Sequence, residues 1–171
     1  MTNSIIAANE TKFISISTFC TDVRTCHAQQ VNILSYNVHN CIGMDKEYNY
    51  RRIANVISQT SPDIVALQEL DSVTVRNKGI HALGELEKLT GMHGTYAAAI
   101  PFQGGSYGIG ILSREIPIKY KIIPMPGREE KRTLIIAEFK DYVFLCHTPV
   151  PHSRRPAPCR TIDRKSLAKR R

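Results

Sequence analysis

The chain has 171 residues, 42% of them apolar, which suits one globular domain with a sizeable core. No stretch approaches the about 18 consecutive apolar residues of a membrane-spanning helix. The five cysteines (20, 26, 41, 146 and 159) are odd in number and lack C-x-x-C spacing, which disfavours a zinc knuckle or a regular disulfide framework.

The net charge of +8 points first to nucleic acid, but its distribution changes that reading. Eight of the 23 basic residues and one of the 15 acidic ones fall in Val150–Arg171, so the body of the chain is close to neutral.

Residues 1–29 read as a degenerate leader or a disordered arm. A signal peptide needs an unbroken apolar core of about 7–15 residues. Here Ser15 and Ser17 interrupt the run Phe13–Phe19, and Asp22 and Arg24 follow it. Export is therefore possible but not supported by this leader.

Val31–Tyr36 is a β-rich apolar run of the kind expected of a buried strand, and Asn37-Val38-His39-Asn40 and Gly43 read as the loop after it. Asn49 can cap a helix whose Tyr50, Ile53, Ala54 and Ile57 share one face, with Ser61-Pro62-Asp63 as its stop. A second apolar run, Ile64–Leu67, leads into Gln68-Glu69, completing a β-α-β unit whose two strands belong in one sheet. A second helix is predicted over His81–Thr90, with Leu83, Leu86 and Leu89 facing inward and Gly91 just past its end.

From Thr95 the pattern turns to strands: Tyr96–Ile100, Gly108–Leu112, Ile116–Ile123, Arg132–Phe139 and Tyr142–Cys146. Ile116, Ile118, Tyr120 and Ile122 alternate as on a half-buried strand. After His147, Pro149, Pro151, Pro156 and Pro158 rule out a central strand, and 149–171 read as a disordered, basic Pro/Arg-rich tail. The expected domain is therefore 30–148.

The chemistry is concentrated at two strand ends. A carboxylate at the end of a buried strand is well placed for a hard cation, because the strand fixes the backbone while its tip faces a crevice. Glu69 fits that description. In a parallel unit Asn37 projects from the same sheet edge, where open α/β sheets place their ligands, and an amide beside a carboxylate can orient it.

Ser35-Tyr36-Asn37-Val38-His39, Pro62-Asp63-Ile64-Val65-Ala66-Leu67-Gln68-Glu69 and Gly108-Ile109-Gly110-Ile111-Leu112-Ser113-Arg114 resemble, in order and spacing, the endonuclease/exonuclease/phosphatase superfamily of DNase I-like metal-dependent phosphoesterases. Gly127-Arg128-Glu129-Glu130-Lys131-Arg132 is similar to its G-R-E-x-x-R segment. The resemblance implies an α+β fold, the N-terminal part of a four-layer α/β/β/α sandwich, here incomplete. It implies hydrolysis of a phosphodiester or phosphomonoester with Mg²⁺ or Mn²⁺. The substrate would be a nucleic acid, a lipid headgroup or a small phosphate ester.

Position by position, the resemblance makes Glu69 the principal metal ligand and Asn37 its neighbour on the metal or phosphate side. Arg132 would support the phosphate or the geometry, and His147 would face the phosphate or serve as acid/base. Cys146-His147-Thr148 stands where the family has Thr-His-Leu, a departure of register at that strand end. His39 and Tyr107 are weaker candidates, read as loop and packing residues.

The family's G-D-x-N segment and its C-terminal Asp-His pair have no counterpart, since Asp-x-Asn occurs nowhere in the chain. The expectation is a truncated chain with little or no activity and one inner sheet face uncovered. The alternative is a non-catalytic remnant that binds anions or nucleic acid through its basic tail.

Overall fold

The computed structural model describes residues 30–126, 131–148 and 160–163. The two apolar runs become the parallel strands β1 (Ile33–Asn37) and β2 (Ile64–Ser72), in register from Ile33↔Ile64 to Asn37↔Gln68. The helix α1 (Tyr50–Thr60) crosses between them. The Asn49 side chain accepts from the Arg52 N–H at 2.9 Å, satisfying one of the donors that a helix start leaves free. Ser61, in the left-handed conformation at φ 44°, ends it.

A second helix, α2 (Ala82–Thr90), is closed by Gly91 at φ 69°, whose N–H donates to the Glu87 carbonyl. Leu83 and Leu86 are buried as predicted, but Leu89 is 38% exposed. Ala82, the first residue of the helix, takes the third buried place.

The strands β3 (His93–Phe102) and β4 (Gly105–Ser113) form a hairpin whose two turn residues, Gln103 and Gly104, have φ of 44° and 80°, the left-handed pair that matches the twist of its strands. The first sheet has the order β1-β2-β4-β3. The second is antiparallel: β5 (Lys119–Met125), β6 (Arg132–Glu138), β7 (Tyr142–His147) and β8 (Arg160–Asp163), in that order.

Strand alternation sorts the first sheet's side chains between two cores. Leu34, Val65, Leu67, Leu70 and Leu112 pack with Ile53 and Ile57 of α1 and Leu83 and Leu86 of α2. Ile64, Ala66, Ala97, Ile109 and Ile111 face Ile135, Ala137, Phe144 and Cys146 of the second sheet. The result is a helix layer, a sheet and a second sheet.

Three sequence expectations change. The inner sheet faces cover each other, with Ile64, Ile109, Ile135 and Phe144 fully buried, because both sheets are built with four strands each. Residues Arg160–Asp163, inside the segment read as a tail, form β8. They pair with β7 at the sheet's outer edge, where one side of the backbone needs no partner. Finally, Ile116 and Ile118 lie before β5, each 64% exposed, and Tyr120 and Ile122 on β5, the opposite edge strand, are 56% and 40% exposed, so the alternating run is not a half-buried strand. Residues 1–29, 127–130, 149–159 and 164–171, with the leader and most of the tail, lie outside the described residues.

Candidate active site at the strand tips

The first sheet's rim is shaped by two bulges. The β2–β4 register shifts between Gln68 and Leu70, leaving Glu69 as the extra residue at φ 61°. Such a bulge re-aims the side chain it carries. The β3–β4 register shifts between Ala98 and Ile100 at the same level, since Gly108 is the partner of both Leu70 and Ala98. A Cβ on Gly108 would stand 2.0 Å from the Ala97 carbonyl oxygen, so the close approach of the bulged backbone demands glycine.

Asn37, at the tip of β1, and Glu69 meet as the sequence predicted. Asn37 Nδ2 donates to Glu69 Oε1 at 2.7 Å. The His39 backbone N–H donates to Asn37 Oδ1 at 3.0 Å. Because a backbone N–H can only donate, the atom facing it is the amide oxygen, and the NH₂ group is therefore the one turned to Glu69. Asn37 is thus arranged to orient the carboxylate, with its own oxygen already engaged. Val38 N–H to Gln68 O, 3.1 Å, ties the two tips together just behind the pair.

Behind Glu69 lies a network that sequence reasoning missed. Asp71 is fully buried, and both its oxygens accept from Arg76, at 2.6 Å from Nε and 2.7 Å from Nη2. Arg76 Nη2 also donates to Asn40 Oδ1 at 2.8 Å, and its guanidinium carbon lies 4.4 Å from the Phe102 ring centre and 5.6 Å from that of Tyr107. The Asp71 hydrogen bonds raise the Arg76 pKa further. The signal was present: an acid two residues past Glu69 on a buried strand needs a cation. What the sequence lacked was which of 23 basic residues supplies it. Tyr107, read as a packing residue, belongs to this network's rim, and His39 contributes through its backbone alone to the Asn37 contact.

Arg132 and His147 lie on neighbouring strands of the second sheet, at the same end of the sandwich. Arg132 lines a cleft of about 520 Å³ with Ala98 and Pro101 of β3, and those residues are level with β2's last three positions through Gly108 and Ser106. His147 is opposite Leu134, two residues along from Arg132. Alternation puts the half-buried His147 on the face opposite the buried Cys146, whereas Arg132, the first residue of β6, lines the cleft shared with β3. His147 Nδ1 is 2.8 Å from the Thr148 carbonyl oxygen, and Arg132 Nε is buried without a hydrogen bond among the described residues. The structure therefore brings Asn37 and Glu69 into contact, and holds Arg132 and His147 on the other sheet.

Among the described residues no three His, Cys, Asp or Glu side chains cluster closely enough to hold a metal ion. One carboxylate backed by an amide suits a Mg²⁺ ion, which keeps several waters and takes one or two carboxylates plus substrate oxygens. It does not suit zinc, which wants several nitrogen or sulfur ligands. Among the described residues no helix is long and apolar enough to cross a membrane.

The family model described as "Endonuclease/Exonuclease/phosphatase family" matches residues 34–169, running past the boundary expected at residue 148. Two solved structures share the fold. An endonuclease/exonuclease/phosphatase from Beutenbergia cavernae superposes with a TM-score of 0.53 at 20% identity, covering 72% of this chain and 39% of that one. A family protein from Leptotrichia buccalis gives 0.51 at 16% identity, covering 71% and 54%. The chain thus spans well under two thirds of either structure's length. No curated protein matches it.

Proposed function

This chain belongs to the endonuclease/exonuclease/phosphatase family, and on that premise we propose that its strand-tip site serves divalent-cation-dependent hydrolysis of a phosphate ester. The observation that carries the reading is the 2.7 Å bond from Asn37 to Glu69 at the ends of two parallel strands. It holds a hard carboxylate, with one oxygen oriented, at the sheet edge where a phosphate can approach.

In this reading Glu69 would hold Mg²⁺ or Mn²⁺, with Asn37 orienting its carboxylate. The cation, when bound, polarises a phosphoryl oxygen and offsets charge built up during attack by water. Asn37 and the His39 N–H keep the carboxylate from turning away, so little orientation is lost when the ester arrives. We assign to Arg132 support of the phosphate and to His147 the phosphate-facing or acid/base role. Both assignments rest on the family resemblance and on their position at the same end of the sandwich. The substrate class comprises nucleic acid, lipid headgroups and small phosphate esters.

We propose further that these 171 residues by themselves bind the cation loosely and turn over slowly. The sequence has no Asp-x-Asn segment to hold the attacking water, and the site holds no cluster of three metal-binding side chains among the described residues. Groups that act as one catalytic unit lose most of their rate when any is missing.

The experiment separates binding from turnover. Mn²⁺ added to the purified chain should broaden the amide signals of residues 37–39 and 68–70, and Glu69→Gln should abolish that broadening. No broadening at these positions would overturn the metal site. Brisk Mg²⁺-dependent hydrolysis of DNA or a phosphate diester by this chain, lost in Glu69→Ala, would overturn the slow turnover while upholding the site.

A further inference from the structure

The Asn37–Glu69 contact joins two segments that have little reason of their own to stay in place. One residue beyond Asn37, past Val38, the residues His39, Asn40 and Cys41 have φ of 45°, 56° and 61°, a left-handed run that non-glycine residues adopt only when held. Glu69 is itself left-handed at the β2 bulge. Something must lock both, and the groups behind them converge on one side chain.

That side chain is Arg76. It comes from a loop stiffened by its own bonds: Val73 N–H to Ile80 O at 3.0 Å, Gly79 N–H to Thr74 O at 2.9 Å, and Asn77 Nδ2 to Ile80 O at 2.6 Å. From that loop the guanidinium reaches Asp71, two residues past Glu69, and Asn40, three residues past Asn37. Its backbone N–H donates to Gln103 Oε1 at 3.1 Å in the β3–β4 turn, and its plane rests on Phe102. One residue therefore touches the loop after β1, the strand beyond the bulge and the hairpin turn. A planar fork with several fixed donors can do this, and a lysine ammonium cannot.

We propose that Arg76 is a positioning residue of the strand-tip site. By clamping Asp71 and Asn40 to one guanidinium it sets the Asn37–Glu69 geometry and, through it, the affinity for a divalent cation. The second half of that statement rests on the metal-site reading above; the first half does not.

The test uses the full 171-residue chain and two readouts. The first is the side-chain amide signal of Asn37 in ¹⁵N NMR spectra, recorded without metal. In the wild-type chain its two protons should be inequivalent and slow to exchange, because one is bonded to Glu69. In Arg76→Lys that signal should move to the position of a free amide and exchange faster, while the signals of core residues such as Ile57 and Ile109 stay in place. The second readout is Mn²⁺ affinity by titration, expected to fall about 10–100-fold, the usual loss when a partner of a metal ligand is removed.

Should Arg76→Lys fail to fold because Asp71 is left with a poor partner, the double variant Asp71→Asn with Arg76→Gln replaces the ion pair with a neutral pair and reads the same signals. An unchanged Asn37 signal in either folded variant overturns the proposal, whatever happens to stability. If the wild-type chain shows no Mn²⁺ binding but the Asn37 signal still moves, the metal reading fails and the positioning role stands. A role confined to stability would lower the unfolding midpoint and leave both readouts of the folded protein unchanged.

Discussion

Asn37 and Glu69 show how much a single residue's role depends on its backbone. Glu69 reaches the rim because the β2 bulge takes it out of the pleat, so that Gln68 and Leu70 can remain in the ladder on either side. Gly108 is the residue that makes room for this. Two bulged strands flank it, and a side chain there would press on the Ala97 carbonyl. Gly108→Ala should therefore destabilise the chain by about 1–3 kcal/mol, the usual cost of overpacking, and should widen the gap between the tips. Denaturant unfolding reads the first effect and the Asn37 side-chain amide signal the second. A variant as stable as wild type would mean that the β3 backbone yields at no cost.

At the level of elements, the strand β5 differs most from its reading as a half-buried strand. It is an edge strand carrying Tyr120 and Ile122 beyond the cover of the first sheet, at 56% and 40% exposure. An open edge with exposed apolar groups invites another strand, and charged side chains, lysine above all, are the usual protection. Lys119 and Lys121 are both exposed on that strand. Replacing both with threonine should leave the fold intact and raise the rate of aggregation several-fold, followed by light scattering as a function of concentration. Equal rates for variant and wild type would show that something other than these charges guards the edge. By contrast α1 matched its sequence signals closely, because its cap at Asn49 and its stripe of Ile53, Ala54 and Ile57 are local or periodic features.

Across the whole molecule, burial ties stability to alkaline pH. Burial, and then the nearby Asp71 carboxylate, push the Cys41 thiol from 9.0 up to about 12. Burial pushes the Tyr50 and Tyr142 hydroxyls from 10.0 up to about 12. A group whose pKa is raised on folding keeps its proton in the folded state while the unfolded chain releases it, so stability is complete below the unfolded value and falls as pH rises towards the folded one. The loss attributable to Cys41 should begin near 9.0 and continue to about 12, at a slope of about 1.4 kcal/mol per pH unit. The tyrosines add to it in the same direction. Urea unfolding at a series of pH values measures this, and Cys41→Ala should flatten the slope between 9.0 and about 12. An unchanged slope in that variant would assign the alkaline loss elsewhere.

The amino-acid sequence alone determined the β-α-β unit, both helices, the strand-rich second half and the pairing of Asn37 with Glu69. Each of these is written in short-range patterns: apolar runs, a cap, and residues at the ends of strands that chain order makes parallel. Tertiary structure decided what those patterns leave open. It chose Arg76 from many cations as the partner of Asp71, held Arg132 and His147 on the second sheet apart from the Asn37–Glu69 pair, and drew Arg160–Asp163 into that sheet's edge. The physical reason is common to all three. An ion pair, a strand's place in one sheet or the other and an edge pairing depend on distances between segments remote in sequence, and those distances exist only once the sheets have formed.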